Sequence, residues 1–423
     1  RRKSSLNPTT TIAAISLSNG VVQEPKVLIS GNDFYAFPRI DHNNKRMAWI
    51  EWSHPNMPWD KSELWVGYFS ESGDLTKRVC VAGSNPMLVE SPTEPKWNSN
   101  IFACEDYTNV EQTNEVIPVY TLDAEFTRPL WVFGISSYDF LGESNHIVFS
   151  YRQHGRSYLG VLDSDIGSVS LLDTPFTDLS NVVTGNDYFY IEGASATVPM
   201  SIAKVALNED RTKVISFSII WSSSPDVVQY SSFFSAPEFV EFPTSNTGQK
   251  AYAYFYPPSN PNFQGLPDEK PPLLVKTHGY YILLFHDHNH GNRIFDIPHI
   301  FQEDQQQKHV ESGKVDERRL CITGRSAGGY TTLASLAFRD TFKAGASLYG
   351  IGDLSLLRAE THKFESHYID NLVGNEKAYY DRSPINFVDK FTCPVILFQG
   401  LDDKIIRFCQ IIDSYFSSSY SPV

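Results

Sequence analysis

Between a short apolar run, Leu320-Cys321-Ile322-Thr323, and a helix-permissive run that starts at Ala327, the chain reads Gly324-Arg325-Ser326-Ala327-Gly328-Gly329. A strand that turns abruptly into a helix around a serine has few solutions. The glycines allow the cramped turn, and the serine hydroxyl then stands proud of the end of a sheet. Such a strand needs neighbours, and the surrounding sequence supplies them: LLVKTHG (273–279), LCITG (320–324), a helix over 327–338, AGASLYG (344–350), a helical 353–360 and PVILFQG (394–400). Strand, helix, strand in succession predicts a mostly parallel sheet, with Ser326 at its carboxyl edge.

The earlier part of the chain follows a different rule. From about residue 11 to 225 it is β-rich, broken by turn clusters such as LSNG, DHNNK and ESGD. A two-strand pattern recurs there: MAWIEW and ELWVGYF within 47–69, HIVFSY and SYLGVLD within 146–163, YFYIEG and MSIAKVAL within 188–207. The starts at 47, 146 and 188 fit two steps and one step of a repeat of ~40–50 residues, the period of a propeller blade. The stretch Trp97–Tyr120 should hold the intervening blade, yet its alternation is poor. The prediction is an all-β propeller of four to five blades, incomplete as a ring; a β-sandwich is the alternative, since its strands also recur at short spacing. FVEFP and AYAYFYPP read as a further hairpin, and a Pro-rich stretch leads to the parallel sheet. The expected boundary lies near 225–235, giving units of residues 1–230 and 231–423.

Composition narrows the partners. With 49 acidic against 35 basic residues the net charge is −14, and no basic run follows Arg1, Arg2 and Lys3, which argues against nucleic acid. Apolar runs such as Tyr280–Phe285 fall short of the ~20 residues of a membrane helix. The five cysteines, Cys80, Cys104, Cys321, Cys393 and Cys409, form no CxxC pair, so a reducing compartment, the cytoplasm or a plastid, is expected, with Cys321 and Cys393 as core residues. The opening RRKSSLNPTTTIAAISL is free of acids, as a transit peptide is, but IAAISLSNG runs straight into a β-like segment. A start in mid-domain is the expectation.

Three segments carry candidate chemistry. Ser326 is the expected nucleophile and the Ala327 N–H an oxyanion donor, against an ordinary glycine turn. The end of the earlier strand, Thr277-His278-Gly279, offers the Gly279 N–H as a second donor, although Tyr280 and Tyr281 follow instead of another glycine. Gln399-Gly400-Leu401-Asp402-Asp403 follows a late strand, where a triad acid belongs; Asp402 is chosen first and Asp403 second, against a solvated Asp-Asp turn. The serine and Asp402 are expected on adjacent loops. His286, Asp287, His288 and His290 alternate as metal ligands can, but no strand or helix context supports them, and a solvated loop is the reading preferred; no metal or other cofactor is expected.

These segments resemble the prolyl oligopeptidase family of serine peptidases, in its acylaminoacyl-peptidase-like branch and especially its plant members. The resemblance runs through LCITGRSAGGYTTLASLAFRDTFKAGASLYG, HKFESHYIDNLVGNEKAYY, SPINFVDKF and CPVILFQGLDDK, and through AWIEWSHPNMPWDKSELWVG and SPTEPKW in the first unit. It implies a propeller followed by an α/β-hydrolase domain, hydrolysis of short peptides through an acyl-enzyme on Ser326, Asp402 as the acid, and peptides as the partners.

The chain departs from that family in three ways. Arg325 stands where relatives usually have glycine. Tyr280–Gln307 does not resemble the family, and the interval from His278 to Ser326 is shorter than the ~60–70 residues that two crossovers would take, so the sheet is expected to lack a strand. The family's catalytic histidine lies well after the aspartate, whereas the last histidine here is His367. His362 and His367 lie in a family-like segment away from the triad motifs. The expectation is a C-terminally incomplete or altered domain with impaired activity. The alternatives are an inactive binding or scaffold protein and a small-ester carboxylesterase.

Overall fold

The computed structural model describes residues 8–17, 22–87, 90–98, 100–104, 118–142, 144–185, 188–243, 250–277 and 313–403. The chain divides into two compact units, Asn7–Pro237 and Glu238–Val423.

The first unit is built from antiparallel sheets in chain order. Strands β1 (Ile12–Ala14) and β2 (Lys26–Ile29) pair with each other. A four-stranded meander follows: β3 (Phe34–Ile40), β4 (Arg46–Trp52), β5 (Glu63–Phe69) and β6 (Leu75–Ala82). Next comes the two-stranded sheet of β7 (Thr93–Asn98) and β8 (Asn100–Cys104). The second meander is β9 (Tyr138–Phe140), β10 (His146–Gln153), β11 (Arg156–Asp163) and β12 (Ser168–Leu172). The third is β13 (Asp178–Thr184), β14 (Phe189–Ala194), β15 (Ser201–Leu207) and β16 (Val214–Ser222). Successive four-stranded meanders, each its own sheet, are the blades of a β-propeller. The repeats anticipated from sequence are the central strand pairs of these blades, β4–β5, β10–β11 and β14–β15. The first two sit in separate sheets with β7–β8 between them in the chain, which sets the sandwich aside.

Blade strands are apolar because both of their faces are covered. On β10, Ile147, Phe149 and Tyr151 pack with Tyr138, Phe140 and Leu162 on one face, while Val148 joins Leu159, Val161 and the next blade's Phe189, Ile191, Ala203 and Val205 on the other. Each such side chain removed from water contributes roughly 1.5–3 kcal/mol. Just before the poorly alternating stretch, the chain is held through a buried carboxylate. Glu94 on β7, 1% exposed, accepts hydrogen bonds from the Ser137 N–H at 2.7 Å, the Ser137 hydroxyl at 2.8 Å and the Thr127 hydroxyl at 2.6 Å. Its own carbonyl accepts from the Tyr138 hydroxyl at 2.9 Å. A polar tie thus joins β7 to β9 where hydrophobic pattern is weak.

In the second unit, β17 (Glu238–Pro243) and β18 (Lys250–Phe255) form the anticipated hairpin. A parallel sheet follows in the order β19 (Leu273–Thr277), β20 (Leu320–Arg325), β21 (Ala344–Leu348) and β22 (Val395–Phe398). Helix α1 (Ala327–Phe338) connects β20 to β21, and α2 (Leu354–Glu360), α3 (Tyr368–Val373) and α4 (Glu376–Asp381) precede β22. This is the α/β-hydrolase sheet that the strand-helix alternation predicts. Residues Ala327 to Ala337 of α1 are all buried, so its hydroxyls turn inward on its own backbone: Thr331 donates to the Ala327 carbonyl at 3.1 Å and Thr332 to that of Gly328 at 3.0 Å. The stretch 278–312, where a missing strand was anticipated, lies outside the described residues. Cys321 and Cys393 are half-buried free thiols, and Cys393 packs against the core cluster that includes Ile322 and Leu336. Among the described residues no helix is long and apolar enough to cross a membrane.

Candidate active site

Ser326 stands between the last residue of β20 and the first of α1, with φ 54° and ψ −120°. A non-glycine residue there is strained by roughly 1–3 kcal/mol and persists only when its surroundings dictate it. They do so from both sides. The Ser326 N–H donates to the Leu348 carbonyl at the end of β21 at 3.1 Å, and the Ser326 carbonyl accepts from the Tyr330 N–H at 3.0 Å. Close approach of backbones then demands glycine: a Cβ on Gly324 would strike the Thr277 hydroxyl and the Gly328 carbonyl, and one on Gly329 would lie 2.5 Å from the Gly350 Cα.

Three side chains that sequence reasoning did not single out fasten the turn. Buried Thr277 donates to the Gly328 carbonyl at 2.8 Å, Ser347 to the Gly329 carbonyl at 3.2 Å, and Tyr330 to the Arg382 carbonyl at 2.9 Å. Burial pushes the Tyr330 phenol far above its usual range, so it stays a neutral donor. The available signal was positional: Thr277 and Ser347 lie at or near the ends of strands flanking β20.

Ser326 is half-buried, and its hydroxyl has no hydrogen-bond partner among the described residues. Ala327 opens α1, so its N–H belongs to a first turn whose donors lack intrahelical acceptors and face the positive end of the helix dipole. Asp402 is exposed in the turn after β22, and neighbouring Asp403 accepts from the Gln399 side chain at 3.3 Å. Ser326 and Asp402 therefore follow the carboxyl ends of β20 and β22, with β21 between them. Their loops are not adjacent, contrary to expectation, because the strand order inserts a neighbour. Gly279 and the His286–His290 cluster lie outside the described residues. No histidine is bonded to Ser326 among the described residues; exposed His362 faces Glu365 at 3.9 Å, and His367 precedes α3.

A serine on a strained turn, at a helix N-terminus and a parallel-sheet edge, is the geometry of acyl transfer. Residues 304–413 match the prolyl oligopeptidase family. Dipeptidyl aminopeptidase BIII of Pseudoxanthomonas mexicana is 26% identical over 108 residues, 23% of this chain and 16% of that protein. Dipeptidyl peptidase family member 6 of Caenorhabditis elegans is 28% identical over 110 residues, covering 23% of this chain and 15% of that protein. The solved structure of a Mycobacterium tuberculosis puromycin-hydrolyzing peptidase superposes with a TM-score of 0.80 and 26% identity, covering 95% of this chain and 66% of that one. The chain thus matches a small part of the curated relatives and spans about two thirds of the solved peptidase. The finer likeness to plant acylaminoacyl-peptidase-like members rests on sequence motifs alone. Sequence match and sheet order converge on one lineage: residues 304–413 carry a domain of the prolyl oligopeptidase family, and that lineage is one of serine peptidase hydrolases.

Proposed function

We propose that the protein hydrolyses short peptides through an acyl-enzyme on Ser326, with the Ala327 N–H stabilising the tetrahedral oxyanion and Asp402 as the acid that would orient an imidazole. The observation that carries this reading is the strained position of Ser326 between β20 and α1. Attack by the hydroxyl oxygen on the scissile carbonyl would place the new negative charge at the first turn of α1, where free N–H groups and the helix dipole favour it. One further assignment belongs to the proposal: the Gly279 N–H as second oxyanion donor. Three free cysteines, Cys80, Cys321 and Cys393, fit a reducing compartment, the cytoplasm or a plastid.

Among the described residues no base reaches Ser326. A serine hydroxyl is a weak nucleophile without a neighbouring imidazole, and the described residues offer Ser326 none. We therefore expect slow turnover from the 423 residues taken alone. The same feature favours a second reading, a binding protein on a hydrolase scaffold.

A fluorophosphonate probe and a chromogenic acyl-amino-acid amide, applied to the purified chain and to Ser326→Ala, test the proposal. Slow labelling confined to Ser326 and slow amide turnover, both accelerated by free imidazole, are expected. Absence of labelling under all conditions sinks the peptidase reading and leaves the binding protein.

A further inference from the structure

The turn that presents Ser326 is enclosed almost everywhere: Gly324, Ala327, Gly328 and Gly329 are buried, and Ser326 is half-buried. Arg325 is the exception. It ends β20 and is exposed, and its side chain has no hydrogen-bond or ion-pair partner among the described residues. Its backbone cannot drift from the serine, because Gly324 is wedged against Thr277 and Gly328 while the Ser326 N–H is tied to Leu348. A cationic side chain on a held backbone therefore stands next to the proposed nucleophile, in a chain whose net charge is −14.

Among the described residues no acidic side chain stands opposite it in the sheet. In the parallel register Arg325 lies opposite Leu348, and Leu348 opposite Phe398. The carboxylates of Asp402 and Asp403 follow the far strand, beyond β21. The next exposed side chain along the edge is Tyr349, an aromatic whose N–H is tied to the Phe398 carbonyl at 2.7 Å. A planar guanidinium is suited to a carboxylate, which it can hold through two parallel hydrogen bonds.

We propose that Arg325 is a specificity-determining residue that selects peptides with a carboxylate close to the bond presented to Ser326. This rests on the reading of Ser326 as the nucleophile. The carboxylate could be an Asp or Glu side chain or a free peptide C-terminus, since both offer the same two oxygens. An exposed pair of this kind is worth roughly fivefold in affinity and weakens with added salt.

The test uses equilibrium binding, so that it does not depend on turnover. Three N-acetylated tripeptides are titrated calorimetrically into the full chain and into Arg325→Gln and Arg325→Lys: an Asn peptide amide, its Asp counterpart, and the Asn peptide with a free C-terminus. The expected result is roughly fivefold tighter binding of one or both carboxylate peptides by the wild-type chain at low salt. That preference should vanish in Arg325→Gln, survive in part in Arg325→Lys, and fade at high salt. Whichever acid arm responds identifies the source of the carboxylate. An equal preference in wild type and Arg325→Gln, or no binding of any peptide, overturns the proposal. Fluorophosphonate labelling of Ser326 in the same samples separates the two readings, because persistent labelling with no charge preference removes Arg325's role and leaves the nucleophile intact.

Discussion

The Thr277 hydroxyl, at the end of β19, donates to the Gly328 carbonyl in the first turn of α1 across 2.8 Å. That bond spans the space above Gly324, the residue that lies between them. The turn bearing Ser326 is thus pinned by a neighbouring strand as well as by its own hydrogen bonds, and Gly324 must remain without a side chain for the pin to close.

Gly324→Ala is expected to destabilise the second unit by about 3 kcal/mol, since the added methyl meets backbone of Gly328 that cannot swing away. Gly265→Ala, whose Cβ would meet nothing within 4 Å, should change stability by less than ~0.5 kcal/mol. Urea unfolding of both variants measures the difference. Equal midpoints would mean that the close approach at Gly324 relaxes at no cost.

In the propeller, Glu94→Ala should cost about 3 kcal/mol. It strands the Ser137 N–H and two hydroxyls in a buried site, each worth roughly 1–3 kcal/mol if left unpaired and partly compensated by relaxation. Glu94→Gln, which keeps one acceptor oxygen, should lose less. Thermal unfolding followed by tryptophan fluorescence reads both, and a Glu94→Ala transition at the wild-type temperature would show that the carboxylate is dispensable.

The Cys80 thiol is pushed up to about 11, chiefly by burial and secondarily by the neighbouring carboxylates of Glu63 and Glu51, with partial relief from hydrogen bonding to Ser84. Its folded value lies above the ~8.5 of an unfolded thiol, so the unfolded state ionises first. Any stability linked to Cys80 is complete below about pH 8.5 and declines as pH rises toward 11. Iodoacetamide labelling, mapped by peptide mass spectrometry, should therefore reach Cys80 slowly at pH 8.5 and accelerate toward pH 11. Free-thiol rates at pH 8.5 would contradict the burial effect.

What could be read from the residues was local. The hairpins over 47–69, 146–163 and 188–207 announce themselves because central blade strands carry apolar side chains between tight turns, and α1 over Ala327–Phe338 because glycines punctuate the strand before it. The outer strands were quieter: β6 and β16 have irregular exposure, with Ile215, Ile219, Ile220 and Trp221 of β16 open to solvent. Strand order is a property of the assembled sheet, so the intrusion of β21 between the loops of Ser326 and Asp402 had no signature in the chain. The same holds for the hydroxyls of Thr277 and Ser347, which matter only because two backbones come within reach of them.

Helix α1 has no side that meets water from Ala327 to Ala337. A helix with a wet flank can absorb altered residues there without shifting, whereas this one can accommodate a larger or smaller group only by sliding against β20 or β21. Any such slide would carry Ser326 with it, since the serine is joined directly to its first residue. Inherited change along α1 is therefore confined to substitutions that preserve volume or arrive with a matching change in the sheet, and wear on the hydrolase core would register first as a misplaced nucleophile.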